Sequence, residues 1–259
     1  MNLPLDGDSA IGGPMARKAA TVPDISVVVP VFDEEGAAPA LAREIAAAFK
    51  GRNYEIVFVD DASRDGTKAA LKAISAEIPQ LRVLAHRKNS GQSRAIRSGV
   101  LGARGGIIVT LDGDGQNDPA DGPKLVDALL AGPPQLAMVG GERVKRQDSQ
   151  AKKVASRIGN GVRRRLLKDD ANDTGCGLKA FRRDAFLRLP YFDHIHRYLP
   201  ALMRREGYDI AFRAVNHRHR QTGASKYTNL GRLWASLSDL FGVVWLQSRA
   251  RNPGAVEEV

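Results

Sequence analysis

The sequence predicts an α/β fold built on one mostly parallel central sheet. Five apolar, β-branched segments recur in the first half of the chain, and their starts lie 25 to 29 residues apart. Stretches rich in Ala, Leu and Lys separate them. Strands that alternate with helices of this length are typical of βαβ units with right-handed crossovers, which form a parallel sheet covered on both faces.

The individual elements follow from these patterns. The predicted strands begin near Ile25, Tyr54, Leu81, Gly106 and Gln135. The predicted helices between them are Ala37–Phe49, Thr67–Glu77, Ser90–Ala103 and Ala120–Leu130. Beyond Gly141 the alternation stops, and two amphipathic helices are predicted, Gln147–Leu167 and Leu230–Leu246.

Length and composition suit one folded domain with short additions. The chain has 259 residues, of which 43% are hydrophobic. Residues 1–22 are poor in large apolar groups and are predicted to be disordered, without the apolar core of a secretory signal. The single cysteine, Cys176, excludes an intramolecular disulfide and a cysteine-rich zinc site, and it fits a reducing cytoplasm.

Charge is distributed unevenly along the chain. The net charge of +10 arises from residues 141–259, which carry +12, whereas residues 1–140 carry −2. This asymmetry indicates an anionic partner for the second half: a membrane surface, a phosphorylated substrate or nucleic acid. A basic surface that is merely solvated is the alternative.

Acidic clusters follow three of the predicted strands. Asp112, Asp114 and Gln116 come directly after an apolar run, in a pattern that suits a hard divalent cation and its phosphate ligands, although a polar turn has the same composition. The segments 33–35 and 60–63 follow the first two strands. Because parallel sheets bind ligands at the carboxyl ends of their strands, we expect the three clusters to meet in one crevice.

Some of the polar and glycine-rich segments also suit other roles. Asp61 or Asp65 alone would suit a cap of the following helix, and for Asp65 we favour that role. The chain has no P-loop motif. The segment 175–180 matches Gly-x-Gly-x-x-Ala but lies far from the first βα unit, which argues against a dinucleotide-binding fold.

Together, the ordered motifs resemble those of family-two glycosyltransferases, and most closely the dolichol-phosphate mannosyltransferase-like branch that uses polyprenyl phosphates. Three motifs carry the resemblance: Val28–Glu35, Val59–Thr67 and Asp112–Pro119. Four further motifs extend it to about residues 25–247: Arg87–Gly91, Gly140–Arg143, Asp173–Lys179 and Arg220–Tyr227. The resemblance implies a single Rossmann-like, GT-A type nucleotide-sugar-binding domain at residues 23–227, followed by an amphipathic membrane-interfacial helix and tail at 228–259.

The resemblance also implies roles for individual residues. Those that hold the nucleoside are Pro30, Phe32, Glu34 and Asp60. Those that bind Mg²⁺ or Mn²⁺ bridging the diphosphate are Asp112, Asp114 and Gln116. Those that meet phosphate groups of the donor or the lipid are Arg143, Lys179 and Arg220, with Ser225 and Lys226 nearby. Asp173 lies either near the sugar or beside a basic residue that it orients.

The expected reaction is an inverting transfer of a hexose from GDP-mannose or a UDP-sugar to a dolichyl or undecaprenyl phosphate. A lipid phosphate is already ionised near neutral pH, so no strong general base is needed. The histidines are therefore interpreted as surface or structural residues: His86, His194, His196, His217 and His219. Two alternatives remain open, a glycosyltransferase with a non-lipid acceptor and a non-catalytic nucleotide-binding module. Nucleic acid is not an expected partner, and the oligomeric state is not predicted.

Two departures from the family pattern concern charge geometry and membrane attachment. Lys179 stands where many relatives have arginine, which keeps the charge but gives up bidentate geometry. Many relatives also carry transmembrane helices after the catalytic domain, whereas Leu230–Leu246 is too short and too polar to span a bilayer. This segment is predicted either to lie in the headgroup region or to dock on the domain, and the protein is expected to be peripheral on the cytoplasmic face of the membrane.

Overall fold

The computed structural model describes residues 22–144, 161, 163–218 and 229–251, and for residues 229–236 it describes the backbone alone. The strands are β1 Ile25–Val31, β2 Tyr54–Asp60, β3 Leu81–Ala85, β4 Ile107–Thr110, β5 Leu136–Arg143, β6 Lys179–Arg182 and β7 Asp209–Val215. The helices are α1 Ala38–Ala48, α2 Thr67–Ile74, α3 Gln92–Gly102, α4 Gly122–Leu130, α5 Arg183–Arg188, α6 Leu199–Arg205 and α7 Asn229–Ser248. Short 3₁₀ turns occupy Pro119–Asp121 and Ile195–Arg197.

All seven strands form one sheet in the order β3-β2-β1-β4-β6-β5-β7. Strands β1 to β4 are mutually parallel where they pair, and β5 is parallel to β7. Only β6 is antiparallel, and it lies between β4 and β5. The predicted mostly parallel α/β sheet is therefore confirmed, with one antiparallel strand inserted next to the acidic cluster.

Two apolar layers cover the sheet. One face packs against α1, α2 and α4, and the other packs against α3, α5, α6 and α7. Successive residues of β1 alternate between the layers: Val27 and Val29 face the first, whereas Val28 faces the second. Because both faces of β1 are covered, all seven of its residues are buried, which explains the uninterrupted apolar run in the sequence.

The C-terminal helix α7 docks with one face and exposes the other. Leu240 and Val243 are buried in the second apolar layer, and the Gln247 amide donates a hydrogen bond of 2.9 Å to the Leu167 carbonyl. In the part of the chain that is described, none of the helices has the length and apolar character needed to cross a membrane. Of the two alternatives left open for this segment, docking on the domain describes one face of α7.

Several predicted features lie outside the described residues. They include most of the segment 1–22 and most of the helix predicted at Gln147–Leu167, of which residues 163–167 are described and helical. The division into residues 1–22, 23–227 and 228–259 stays a prediction.

Candidate active site

A cavity of about 570 Å³ opens at the carboxyl ends of β1, β2 and β4. This is the edge at which parallel sheets bind ligands. The strand-end segments at 30–34 and 110–114 line it, together with the loop before β6 and the 3₁₀ turn before α6. The expected convergence of acidic clusters on one crevice therefore holds for the segments after β1, β2 and β4.

The loop after β1 supplies the residues predicted to hold a nucleoside. Pro30, Phe32 and Glu34 all line the cavity. Asp33 adopts a left-handed backbone conformation with φ of 52°. Its carboxylate accepts a 2.7 Å hydrogen bond from the Arg64 backbone amide, which stabilises this unfavourable conformation. The β2–α2 connection therefore holds the loop after β1 in place.

The predicted nucleoside ligand Asp60 lies away from the cavity. Its carboxylate accepts a 3.1 Å hydrogen bond from the Ser63 amide, whereas the neighbouring Asp61 lines the cavity. Adjacent residues of an extended chain point to opposite sides, so a shift of one position decides which carboxylate faces the ligand. Geometry therefore favours Asp61 over Asp60 for a role in binding.

Asp61 also organises the loop that leads into α3. Its Oδ1 accepts hydrogen bonds from His86 Nδ1 at 2.6 Å and from the Ser90 amide at 2.9 Å, and its Oδ2 accepts one from the Gly91 amide at 2.8 Å. Asp65 was predicted to cap the following helix. The N-cap position is Gly66, one residue later, but the Asp65 carboxylate accepts a 3.0 Å hydrogen bond from the Thr67 amide at the start of α2.

Asp112 and Asp114 line the cavity after β4 as a pair of carboxylates. Burial, followed by the negative charge of Asp114, raises the pKa of Asp112 to about 6. The Gln92 amide donates a 2.8 Å hydrogen bond to Asp112. Gly177 leaves room for this carboxylate, because a Cβ at position 177 would lie 2.3 Å from its Cγ atom.

The two carboxylates suit a divalent cation that completes its coordination elsewhere. No group of three or more His, Cys, Asp or Glu side chains able to hold a metal was found in the described part of the chain. Mg²⁺ sites commonly use one or two carboxylates together with substrate phosphates. A hard cation would also offset the repulsion from Asp114, which after burial is the second cause of the raised pKa of Asp112, so the donor set fits such an ion.

The third predicted metal ligand, Gln116, does not line the cavity. Its backbone amide donates a 3.1 Å hydrogen bond to Asp114, and its carbonyl accepts one of 2.9 Å from the Arg218 amide. These contacts indicate that Gln116 shapes the loop around Asp114. Its role as a ligand stays a prediction.

The raised pKa of Asp112 predicts a pH-dependent cost to stability in the metal-free protein. Asp112→Asn should stabilise that protein above pH 6, where the buried carboxyl is ionised, by up to about 3 kcal/mol for a shift of this size. A carboxyl whose folded pKa is raised favours folding below its unfolded pKa of about 4 and loses that contribution as the pH rises through about 6. Urea unfolding in EDTA between pH 4.5 and 7.5 measures the difference, and a stabilisation that does not grow with pH would contradict the assignment.

Arg143 and Asp173 form a bidentate ion pair in the cavity wall. Arg143 Nε lies 2.6 Å from Asp173 Oδ2, and Nη2 lies 2.7 Å from Oδ1. The hydrogen bond to Asp173 raises the pKa of Arg143. Of the two roles predicted for Asp173, the geometry favours the orientation of a basic partner.

Lys179, at the start of β6, is 5% exposed and also lines the cavity. Its ammonium group donates a hydrogen bond to the Cys176 carbonyl. Burial lowers the pKa of Lys179. The remaining predicted phosphate-binding residues, Arg220, Ser225 and Lys226, lie outside the described residues.

Gln92 and Arg197 line the cavity although the sequence predicted no role for them, and His196 lines it although it was interpreted as a surface or structural residue. Gln92 opens α3 and reaches Asp112, as described above. His196 lies in the cavity wall beside Ser93, and its interpretation as a surface or structural residue stays a prediction. No local sequence pattern indicates the position of His196, because that position depends on a contact with Ser93, which lies 103 residues away in the sequence.

Comparison with known proteins agrees with the site. Residues 26–189 match the family described as glycosyl transferase family 2. The chain is also 33% identical over 237 residues to dodecaprenyl-phosphate galacturonate synthase of Rhizobium johnstonii. This chain belongs to glycosyltransferase family 2. The family-two assignment agrees with the resemblance carried by the strand-end motifs.

Further relatives share a lipid-phosphate acceptor in their names. The chain is 34% and 36% identical to undecaprenyl-phosphate 4-deoxy-4-formamido-L-arabinose transferases of Aeromonas hydrophila and Shewanella sediminis, in each case over 78% of its length. The family-two chain covers 62% and 61% of these two relatives and 69% of the Rhizobium protein.

Solved structures show the same GT-A-like fold. Glucosyl-3-phosphoglycerate synthase from Mycobacterium tuberculosis in complex with UDP superposes with a TM-score of 0.65 at 20% identity, over 90% of this chain and 82% of that one. The same enzyme with Mn²⁺, UDP-glucose and phosphoglyceric acid also gives a TM-score of 0.65, at 19% identity over 90% and 82% of the two chains.

Proposed function

We propose that this glycosyltransferase moves a hexose from a nucleoside diphosphate sugar to the phosphate of a polyprenyl phosphate, with inversion, at the cytoplasmic face of a membrane. The observation that carries the proposal is the arrangement of the cavity. One cavity at a single sheet edge is lined by the loop residues at 30–34, the carboxylate pair Asp112 and Asp114, and the basic residues Arg143 and Lys179. The names of the relatives support the choice of lipid phosphate as acceptor.

In this proposal the donor lies across the strand ends. Pro30, Phe32 and Glu34 enclose the nucleoside. Asp61 fixes the loop beside it through the Ser90 and Gly91 amides. Asp112 and Asp114 hold Mg²⁺ or Mn²⁺, the ions present in the fold neighbours. When bound, the cation acts as a Lewis acid that neutralises charge on the departing diphosphate.

Basic residues then position the acceptor. Arg143, held rigidly by Asp173, and the buried Lys179 provide cationic groups beside the carboxylate pair. Arg220, Ser225 and Lys226 are proposed to join them at the phosphate end of the reaction. A phosphate oxygen is anionic and nucleophilic near neutral pH, so the protein's main task is to orient it for in-line attack at the anomeric carbon.

The exposed face of α7 supports attachment to an anionic membrane. Leu237, Phe241 and Trp245 follow one another at intervals of four residues, and they are 40%, 69% and 59% exposed. Arg249 and Arg251 follow and are exposed. An apolar stripe flanked by arginines suits the headgroup region of a bilayer, where apolar insertion and attraction to anionic lipid add.

Replacing the two exposed aromatic residues should therefore weaken membrane binding and leave stability nearly unchanged. For Phe241→Ser with Trp245→Ser, we expect at least about a tenfold lower affinity for vesicles containing anionic lipid, since each side chain loses more than 1 kcal/mol of burial. Flotation with neutral and anionic liposomes measures this. The matched control is Leu101→Ser, which removes a 55% exposed apolar residue at the end of α3. Equal binding by the double variant and the control would contradict the interfacial role.

A panel of nucleotide sugars tests the identity of the donor directly. Purified protein is incubated with undecaprenyl phosphate, Mn²⁺ or Mg²⁺, and UDP- or GDP-linked hexoses or uronic acids, and the lipid product is detected by mass spectrometry. The proposal predicts a strong preference for one nucleotide and one sugar. Absence of transfer from every donor, with the protein folded and bound to vesicles, would overturn it.

A further inference from the structure

The proposed reaction assigns no role to His196. The side chain lines the cavity, and its Nδ1 atom lies 2.7 Å from the hydroxyl oxygen of Ser93. Ser93 is only 1% exposed and belongs to the first turn of α3. The imidazole ring is therefore held at a defined angle by a buried partner.

The backbone around His196 is fixed as well. His194 adopts a left-handed conformation with φ of 61°, which turns the chain into the 3₁₀ segment Ile195–Arg197. Its Nδ1 atom lies 2.8 Å from an oxygen of Asp239 in α7. The turn is thus tied to α7 on one side and to α3 on the other.

The second ring nitrogen, Nε2, has no hydrogen-bond partner among the described residues. Burial, followed by the positive charges of Lys179 and Arg197, holds the pKa of His196 well below its usual value. The ring is therefore neutral at pH 7, and Nε2 is available as a single donor or a single acceptor.

Because the imidazole ring is neutral, Nε2 suits some classes of ligand group better than others. A phosphate oxygen is bound better by the charged Arg143 and Lys179, which line the same cavity. The nucleoside region lies at the 30–34 loop, at the ends of other strands. A sugar hydroxyl both donates and accepts, so it pairs with a neutral imidazole in either tautomer.

We propose that His196 is a specificity-determining residue that hydrogen-bonds a hydroxyl group of the transferred sugar through Nε2. Ser93 is then a positioning residue that fixes the ring. This inference rests on the proposed function, since it assigns the sugar end of the same donor.

The test compares His196→Phe, which keeps a ring but removes the hydrogen bond, with His196→Gln, which retains a polar group. Each variant is assayed with the best donor of the panel and with monodeoxy analogues of its sugar, and the affinity for the free nucleoside diphosphate is measured by calorimetry. A further variant, His194→Asn, removes the histidine contact with Asp239 while asparagine tolerates the left-handed conformation, so it measures the effect of loosening the turn alone.

For His196→Phe we expect kcat/KM with the best donor to fall about tenfold. One monodeoxy analogue that the wild type uses poorly should then be used as well as the parent sugar, because its missing hydroxyl is the partner of His196. His196→Gln should recover part of the loss, Ser93→Ala should cause a smaller loss, and nucleoside diphosphate affinity should stay constant in all of them.

Two results would overturn this inference while leaving the proposed function intact. One is transfer by His196→Phe with unchanged kcat/KM and unchanged discrimination against every deoxy analogue. The other is an equal loss of nucleoside diphosphate affinity and turnover, which would make His196 a structural residue. Failure of the wild type to transfer from any donor would instead overturn the proposed function, and this inference with it.

Discussion

Asp114→Ala is expected to abolish sugar transfer while leaving the fold intact. Asp114 lies on a loop at the cavity, and its carboxylate accepts only a local 3.1 Å hydrogen bond from the Gln116 amide among the contacts described. Metal stabilisation of the leaving group is worth several kcal/mol, so the loss of a ligand should lower kcat by about a thousandfold or more. Steady-state assays in metal-replete buffer measure this.

The matched control for this variant is Asp127→Ala. Asp127 lies on the exposed side of α4 and pairs with Arg52, and neither residue lines the cavity. We expect the control to retain near wild-type activity. Activity of Asp114→Ala within a few-fold of wild type, or full activity of the wild type in excess EDTA, would contradict the metal-binding assignment.

Gly177→Ala is expected to have the second-largest effect, although it adds a single methyl group. A Cβ at this position would lie 2.3 Å from Cγ and Oδ2 of Asp112 and 2.4 Å from its Oδ1. The carboxylate must then move by about 1 Å, and a displacement of that size in an active site costs about 100-fold in rate. We expect metal affinity, measured by calorimetry, to fall together with kcat.

Gly106→Ala is the control for the added methyl group. Gly106 precedes β4, and a Cβ there would meet nothing within 4 Å. Both variants should remain folded in thermal denaturation, and only Gly177→Ala should lose activity. Equal activity of the two variants would show that the position of Asp112 is not critical.

The fold could be predicted from the sequence wherever a strand has a distinct local sequence pattern. Strands β1 and β2 are almost entirely buried on both faces, so their apolar runs are visible in the sequence. Strand β6 has only four residues, and β7 is partly exposed at the edge of the sheet. Their places depend on pairing with distant strands, which leaves no local pattern.

The same reasoning applies to the candidate site. Carboxylates at strand ends were identified because their position follows from the topology of a parallel sheet. The choice between Asp60 and Asp61 was not predictable, since it depends on the direction of one residue just after β2. The place of His196 in the cavity wall was not predictable either, because it depends on a turn that is anchored by Ser93 and by α7.

The nature of the acceptor is the central claim, and one competition experiment tests it most directly. The protein is given its best donor together with equal amounts of undecaprenyl phosphate, undecaprenol and 3-phosphoglycerate in mixed micelles, and the products are identified by mass spectrometry. The proposed function predicts that the glycosyl residue appears on undecaprenyl phosphate alone, and that Asp114→Ala forms no product. Transfer to undecaprenol at an equal rate, or to 3-phosphoglycerate in preference to the lipid phosphate, would contradict it.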